Sequence, residues 1–489
     1  MQGWQLLIGA TFFRGQHGAR WRRTALAAAL SLLPGGAHGA YITMVDHGPS
    51  SNRVNVMFLG DGYTASEIGT TYVEDVNAMW AHMFGDGEDP FPRYRNFFNA
   101  YRIEVISNQS GADIPPLGVF KDTALDASYY FDGVTERLLG VNTTKANAAV
   151  TAGVAGSGLP VDIRLVAVND GRYGGGGGSL AVYAGGNSQA PEIALHELGH
   201  SFAGLADQYG GLPGLYDGPE PFQPDITKSP TGQKWSQWLG YDQPKIGSIG
   251  AYEGGGYYDR GLFRPSLNSK MRTLGNPFDA VGRESIILSI YDHVDPLDSW
   301  LSNSAALTDP TSLWVETVDP AVIGIEWLVN GQLVSGADGE SFRLRDFGFG
   351  AGSYTVTARA TDTTDWVRIH RDVLEQSVAW DVVLTSLGDT NADGLVNIFD
   401  VNLISANWNQ PGPAGDVNAD HIVNIFDLNL VSANWTPTGS GASVPEPGAM
   451  LLFAMGGFTL SGIALRSWLG RHLATRTWSN RGIHPSSGP

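Results

Sequence analysis

The residues His196-Glu197-Leu198-Gly199-His200 carry the side chains needed to hold a metal ion and to use it. On a helix, positions four apart share a face, so His196 and His200 can grip one zinc ion between two imidazoles. Glu197 beside them is placed to take a proton from a zinc-bound water, whose pKa the metal brings to about 7. The chemistry implied is hydrolysis of a peptide bond at neutral pH. Helices also carry paired histidines for packing, so context matters. Here Pro191 suits a helix first turn, and the apolar run Ile193-Ala194-Leu195 leads into the motif.

A catalytic zinc wants three protein ligands and leaves a position open for water. Downstream of His200, Gly204 can turn the chain and Asp207 then offers a carboxylate oxygen. Metzincins place the glycine and the third ligand one residue earlier than this. Asp207 is the expected third ligand. The alternative is that it caps the next turn and that Asn, Gln or a distant Glu or His completes the site. The segment Arg264 to Arg272 places Met271 well after the zinc helix, where a metzincin-like methionine turn would lie beneath the histidines. Ordinary core filling is the other role open to Met271. Tyr257 or Tyr258, shortly before that turn, is the expected hydrogen-bond donor to a tetrahedral oxyanion, with core packing expected for at least one of them.

The chain resembles the IgA-peptidase family of zinc metallopeptidases. The resemblance is carried by Val56 to Thr64, Pro90-Phe91, Phe98-Asn99-Ala-Tyr101, Ser107 to Pro115 and Tyr173-Gly174-Gly175. It continues through His196 to Tyr209, Tyr257 to Arg272 and His293 to Ser299. It implies a secreted bacterial zinc endopeptidase with His196, Glu197 and His200 in the roles above. Two departures stand out: Gln208 where the family has Glu in Asp-Glu-Tyr, and Ser269 where Cys is common in the methionine turn. The immunoglobulin substrate of the family's name is not carried over, because binding loops set specificity.

These residues need a scaffold. Val54 to Leu59, Arg102 to Ile106 and Asp162 to Val168 read as buried strands. Thr64-Ala-Ser-Glu67 is a capping box predicting a helix from there to about Phe84. Strands and helices alternate before the zinc helix, which suits an α/β catalytic domain. The glycine-rich run Gly174 to Gly178 lacks the Lys-Ser/Thr of a phosphate loop. It is expected to lie beside an edge strand near the cleft, where an extended substrate could pair.

The chain has 489 residues, no cysteine and a net charge of −19. That length accommodates several domains. Disulfides, thiolate zinc sites and cysteine nucleophiles are excluded. The charge argues against a nucleic-acid partner. Arg14 to Arg23 followed by the apolar Thr24 to Leu33 and small residues to Ala40 has the form of a secretory signal. Near the other end, Val444-Pro445-Glu446-Pro447, the apolar Ala449 to Leu465, and Arg466 and Arg471 resemble a PEP-CTERM sorting tail. A plain membrane anchor is the alternative.

Between these, residues 305–386 read as short alternating strands of an immunoglobulin-like β-sandwich with a packing or substrate-positioning role. An internal repeat follows: Asp389, Asn391, Asp393, Asn397 and Asp400 recur as Asp416, Asn418, Asp420, Asn424 and Asp427. Oxygen side chains at loop positions one, three, five, nine and twelve are what a calcium loop uses. Each copy continues into a helical pattern, and the pair resembles a type I dockerin. Gly394 suits the sharp turn of the first copy, and His421 strains that of the second. A metal-free surface loop pair is the alternative.

The expected architecture is therefore multidomain. It comprises a signal peptide (1–40), an α/β metzincin-like zinc peptidase domain (41–304), the sandwich (305–386), a small α calcium-loop pair (387–437) and a linker with sorting tail (438–489). Expected cofactors are catalytic zinc and structural calcium. Expected partners are a polypeptide substrate, a cohesin-like or envelope protein, and the membrane through the tail. The expected location is secreted or on the bacterial envelope. A second reading, a surface scaffold with an inactive peptidase domain, suits the same tail and repeats.

Overall fold

The computed structural model describes residues 41–412, 414–418 and 420–436. The expected signal segment and sorting tail lie outside the described residues. The N-terminal unit is built on a six-stranded sheet. Its strands are β1 (Ile42–Val45), β2 (Val54–Asp61), β3 (Phe98–Ile103), β4 (Ile163–Val168), β5 (Gly175–Gly176) and β6 (Ala181–Ala184), in the order β1-β3-β2-β4-β6-β5. The inner pairs β3-β2, β2-β4 and β4-β6 are parallel, while β1 and β5 run antiparallel at the two edges. All of β2 is buried, as expected of a central strand covered on both faces.

Helices α1 (Thr71–Met83) and α3 (Ala190–Ala203) contact each other and β4, while α2 (Thr143–Gly153) contacts β3. Two buried apolar clusters result, with alternate β2 residues divided between them: Val56 and Phe58 in one, Met57 and Leu59 in the other. Helix α4 (Ala280–Tyr291) packs on α3.

Two element boundaries differ from the sequence reading. The helix expected from Thr64 begins at Thr71. Glu67 does reach back to the Thr64 amide (2.9 Å), but it closes a separate turn, and Gly69-Thr70 are poor helix formers. The strand expected from Arg102 is already formed at Phe98 and ends at Ile103. Sheet pairing with Val54 onward sets its start, not local composition.

The β-rich region holds a three-stranded sheet (Leu297–Trp300, Leu313–Thr317, Ser341–Phe342) and a five-stranded one dominated by Ile323–Val329, Gly352–Asp362 and Glu375–Leu384. Their long strands alternate buried and exposed, and Trp327 stacks on Phe342 (5.1 Å) and Trp380 (5.7 Å). Residues Leu297–Trp300 already belong to this sheet, before residue 305. The region is fastened to the N-terminal unit by Asp362. Its fully buried carboxylate accepts hydrogen bonds from Arg93 (2.8 Å), Tyr94 (2.6 Å) and Tyr291 (2.9 Å). One apolar cluster runs through both, joining Phe98 and Ile290 to Leu313 and Trp327.

Candidate metal centre

Helix α3 presents Ala190, Ala194 and Leu198, spaced by one turn, to the core. That leaves His196, Glu197 and His200 toward the cleft. Pro191 stands in its first turn and Gly204 ends it at φ 64°, the left-handed conformation glycine adopts without strain. The Leu205 amide donates to the Gly199 carbonyl (3.0 Å), which reverses the chain and carries Asp207 back over the histidines.

The three expected ligands come together. Asp207 Oδ1 lies 3.0 Å from His196 Nε2 and 3.4 Å from His200 Nε2, and the two Nε2 atoms are 3.2 Å apart. With zinc–donor bonds of about 2.0–2.1 Å in a tetrahedral arrangement, donors should stand about 3.3–3.4 Å apart. The set fits one ion. The other ring nitrogens are already committed. His196 Nδ1 donates to the Lys270 carbonyl (3.0 Å) and His200 Nδ1 to the Leu205 carbonyl (2.7 Å). A carbonyl can only accept, so in the neutral form of each ring the proton sits on Nδ1 and the Nε2 lone pair faces the shared point.

The electrostatics agree. Burial drives the Asp207 carboxyl up, but hydrogen bonds and charge from both histidines outweigh it and hold the group far below the usual carboxylate range. Burial likewise disfavours the His200 imidazolium, yet Asp207 and Glu197 raise it to about 9. Glu197 is pushed up by burial, against the pull of the two histidines.

Met271 packs against helix α3 at Gly199. A Cβ on Gly199 would fall 2.7 Å from its sulfur, which explains a glycine in mid-helix. The Met271 carbonyl accepts from the Gln208 amide (2.8 Å). The two departures from the family pattern meet: Ser269 Oγ donates to Gln208 Oε1 (2.9 Å). The Gln208 amide nitrogen donates to the buried Asp225 and Asp279, both at 3.0 Å. Gln, unlike ionised Glu, can donate to two carboxylates.

The two tyrosines separate. Tyr257 donates its hydroxyl to Asp207 Oδ2, the oxygen turned away from the histidines. Tyr258 does not join the centre; its ring packs edge-on against Tyr216 (5.1 Å), beside Ile226 and Leu262. Alternation along the strand Tyr258–Arg264 turns it to that small apolar cluster.

The glycine-rich segment lies where expected. A Cβ on Gly175 would meet Glu197 Oε1 at 3.1 Å, and one on Gly177 would meet Oε2 at 2.8 Å and His200 Cβ at 3.1 Å. The β5 edge is not wholly open, because Gly175 bonds through both its amide and its carbonyl to Arg137 and Leu139 (3.1 Å each). Strand-like pairing of a substrate is therefore restricted to the residues after Gly175. Cavities of about 410 and 360 Å³ flank the centre, one lined by His196 and Glu197 and the other by His200, Asp207 and Tyr257.

Residues 42–246 match the family model for IgA Peptidase M64. That match supports the family resemblance and points to a metallopeptidase. No curated protein matches the chain. Among solved structures, Bacteroides ovatus mixed-linkage glucan utilization locus SGBP-B, in complex with mixed-linkage heptasaccharide, aligns at 19% identity with a TM-score of 0.14. The alignment covers 18% of this chain and 21% of that one, too little to bear on fold or function.

Several supporting residues carried no signal in the sequence. A second convergent group, His82, Glu88 and Glu192, surrounds the fully buried Lys270 ammonium, with Glu88 at 2.9 Å and Glu192 in closer contact. Its cation is this lysine, whose carbonyl orients His196. Tyr209 accepts from Arg137 (3.1 Å), a residue from a distant loop.

The repeat forms two equivalent loop–helix units ending in α5 (Ile398–Ala406) and α6 (Ile425–Ala433). Asp400 accepts from the Thr390 and Asn391 amides, and Asp427 likewise from Val417 and Asn418. Asp389 accepts from the amides of Asp393 and Gly394, and Asp416 from those of Asp420 and His421. Asn391 and Asn418 donate to Asp393 and Asp420. Asn397 and Asn424 cap the helices, their side chains accepting from Phe399 and Phe426. His421 takes φ 71° where Gly394 takes 87°, so the histidine does sit in left-handed backbone.

Proposed function

We propose that this chain is an exported zinc endopeptidase. The observation that carries the reading is the ligand triad His196, His200 and Asp207, with both imidazoles locked by carbonyls so that Nε2 faces one point beside Glu197. Zinc held there supplies Lewis acidity, lowering the pKa of a water to about 7 and polarising a carbonyl oxygen. The chain's own groups do the rest. Glu197 accepts the proton of the attacking water on its carboxylate and passes it to the departing amide nitrogen. Burial raises its proton affinity, which suits a group that must take a proton and then return it. Tyr257, whose one hydroxyl proton rests on Asp207 Oδ2, is proposed to turn that proton from the carboxylate to the oxyanion as negative charge develops there. Gly175 and Gly177 let their strand approach helix α3 closely, where any side chain would press on Glu197 and displace its carboxylate.

The loops around Asp389 and Asp416 are proposed as structural calcium sites, and the unit they form as a docking module for a cohesin-like or envelope partner. The signal and tail segments motivate secretion or envelope attachment. The scaffold reading gains nothing from a site that keeps its general base among correctly oriented ligands.

The test measures zinc by elemental analysis and cleavage of unfolded and immunoglobulin substrates, for wild type and Glu197→Ala. One zinc per chain in both, with cleavage lost in the variant, supports the peptidase. Full activity in the variant refutes Glu197 as the base. A folded wild-type chain that takes up no zinc favours the scaffold.

A further inference from the structure

The cavity on the Glu197 side of the centre has an unusual wall. In a chain with 49 acidic and 30 basic residues, its charged lining apart from Glu197 is basic: Arg137, Lys270 and Arg272. Lys270 is buried and neutralised by Glu88 and Glu192. The two arginines are not. Arg137 bonds to the Tyr209 hydroxyl (3.1 Å) and stands 5.4 Å from the centre of its ring, and Arg272 bonds to the Gln208 carbonyl (3.2 Å). Among the described residues neither is paired with a carboxylate. The hydrogen bond to Tyr209 holds the Arg137 guanidinium beside the cavity while leaving donors to spare, because the group offers five N–H groups. The adjoining cavity is lined by Arg137 again, with Arg172 and one acidic residue, Glu136. On the other side of the centre the lining turns apolar, with Leu205, Ile226 and Leu262 beside Tyr257.

We propose that Arg137 and Arg272 form a subsite for an acidic residue of the substrate, on the Glu197 side of the scissile bond. This rests on the peptidase reading and names its substrate class: polypeptides with Asp or Glu beside the cleaved bond. A carboxylate there gives two guanidinium groups the direct ion pair that neither makes among the described residues, and charge-assisted bidentate bonds give the preference. The cost of desolvating an unpaired arginine disfavours a neutral side chain at the same place.

The test separates binding from cleavage. Fluorescent peptides that differ only by Glu against Gln at one position are titrated by anisotropy into the full zinc-loaded chain carrying Glu197→Ala. Cleavage sites of the wild-type chain are mapped on a mixed peptide library. The expected result is at least tenfold tighter binding of the Glu peptide. Adding Arg137→Gln or Arg272→Gln should reduce that ratio to below threefold, and 0.5 M salt should weaken it. Wild-type cleavage should then cluster beside acidic residues. Equal binding of Glu and Gln peptides, or a ratio untouched by both arginine variants, overturns the subsite. Tight acidic binding with no cleavage by the wild type upholds the subsite and refutes the peptidase reading instead.

Discussion

Glu192→Gln is the sharpest probe of how the fold supports the metal centre. Glu192 contacts the Lys270 ammonium, which has no exposure to solvent, and also accepts from His82 and from the Gly275 amide (2.9 Å). Burial pushes the Glu192 carboxyl up, but His82, Lys270 and Gly275 outweigh it and bring it down to about 2 from 4.5. That displacement corresponds to about 3 kcal/mol of stability at neutral pH. Removing one partner of a buried pair costs ~3–5 kcal/mol. Glu88 remains 2.9 Å from Lys270. A loss of about 2–3 kcal/mol is therefore expected.

The sign of the pH dependence follows. A lowered carboxyl pKa contributes stability that is complete above about pH 4.5 and lost as pH falls through about 2. Glutamine does not titrate, so the gap between the variant and wild type should close over that range. Urea unfolding of the metal-free chains at pH 7, 5 and 3 measures it. The Lys270 carbonyl orients His196, so zinc affinity should also fall, by about 10–100-fold. A pH 7 difference below ~0.5 kcal/mol, or a larger one that persists unchanged at pH 3, would refute the reasoning.

Three further substitutions probe other parts of the molecule. Gly199→Ala drives a methyl group to 2.7 Å from the Met271 sulfur, so thermal unfolding should report a loss of about 1–3 kcal/mol despite the better helix propensity of alanine. Tyr257→Phe should lower kcat by about 10-fold or more while leaving zinc content at one per chain, as expected for an oxyanion donor; an unchanged kcat would return Tyr257 to a packing role. His421→Gly relieves left-handed backbone worth about 1 kcal/mol, so thermal unfolding of the loop–helix pair should report a gain of that order; an unchanged or lower midpoint would show that the backbone there is unstrained.

Legibility divides along the distance over which a feature is encoded. The pairing of His196 with His200, the flanking Glu197, the Pro191 start and the Gly204 stop are consequences of helix period and backbone sterics, and they stand in the structure as the sequence implies. The duplicated loops, including the strained backbone at His421, are equally local. Asp207 was within reach because only one turn of chain separates it from the helix.

Features set by distant segments were not legible. The start of β3 at Phe98 is decided by its pairing with β2, and the covering of the Gly175 edge by residues 137–139. The division between Tyr257 and Tyr258 depends on which side of one strand faces Asp207. The orientation of the His196 imidazole by the Lys270 carbonyl and the Glu88–Lys270–Glu192 cluster bring together groups far apart in the chain. So does the meeting of Arg137 with Tyr209. Sequence by itself determined which groups can do the chemistry, because side-chain type and helical spacing are local properties. Tertiary structure decided which protons, lone pairs and unpaired charges those groups present to a substrate, because only packing sets their partners and their exposure to water.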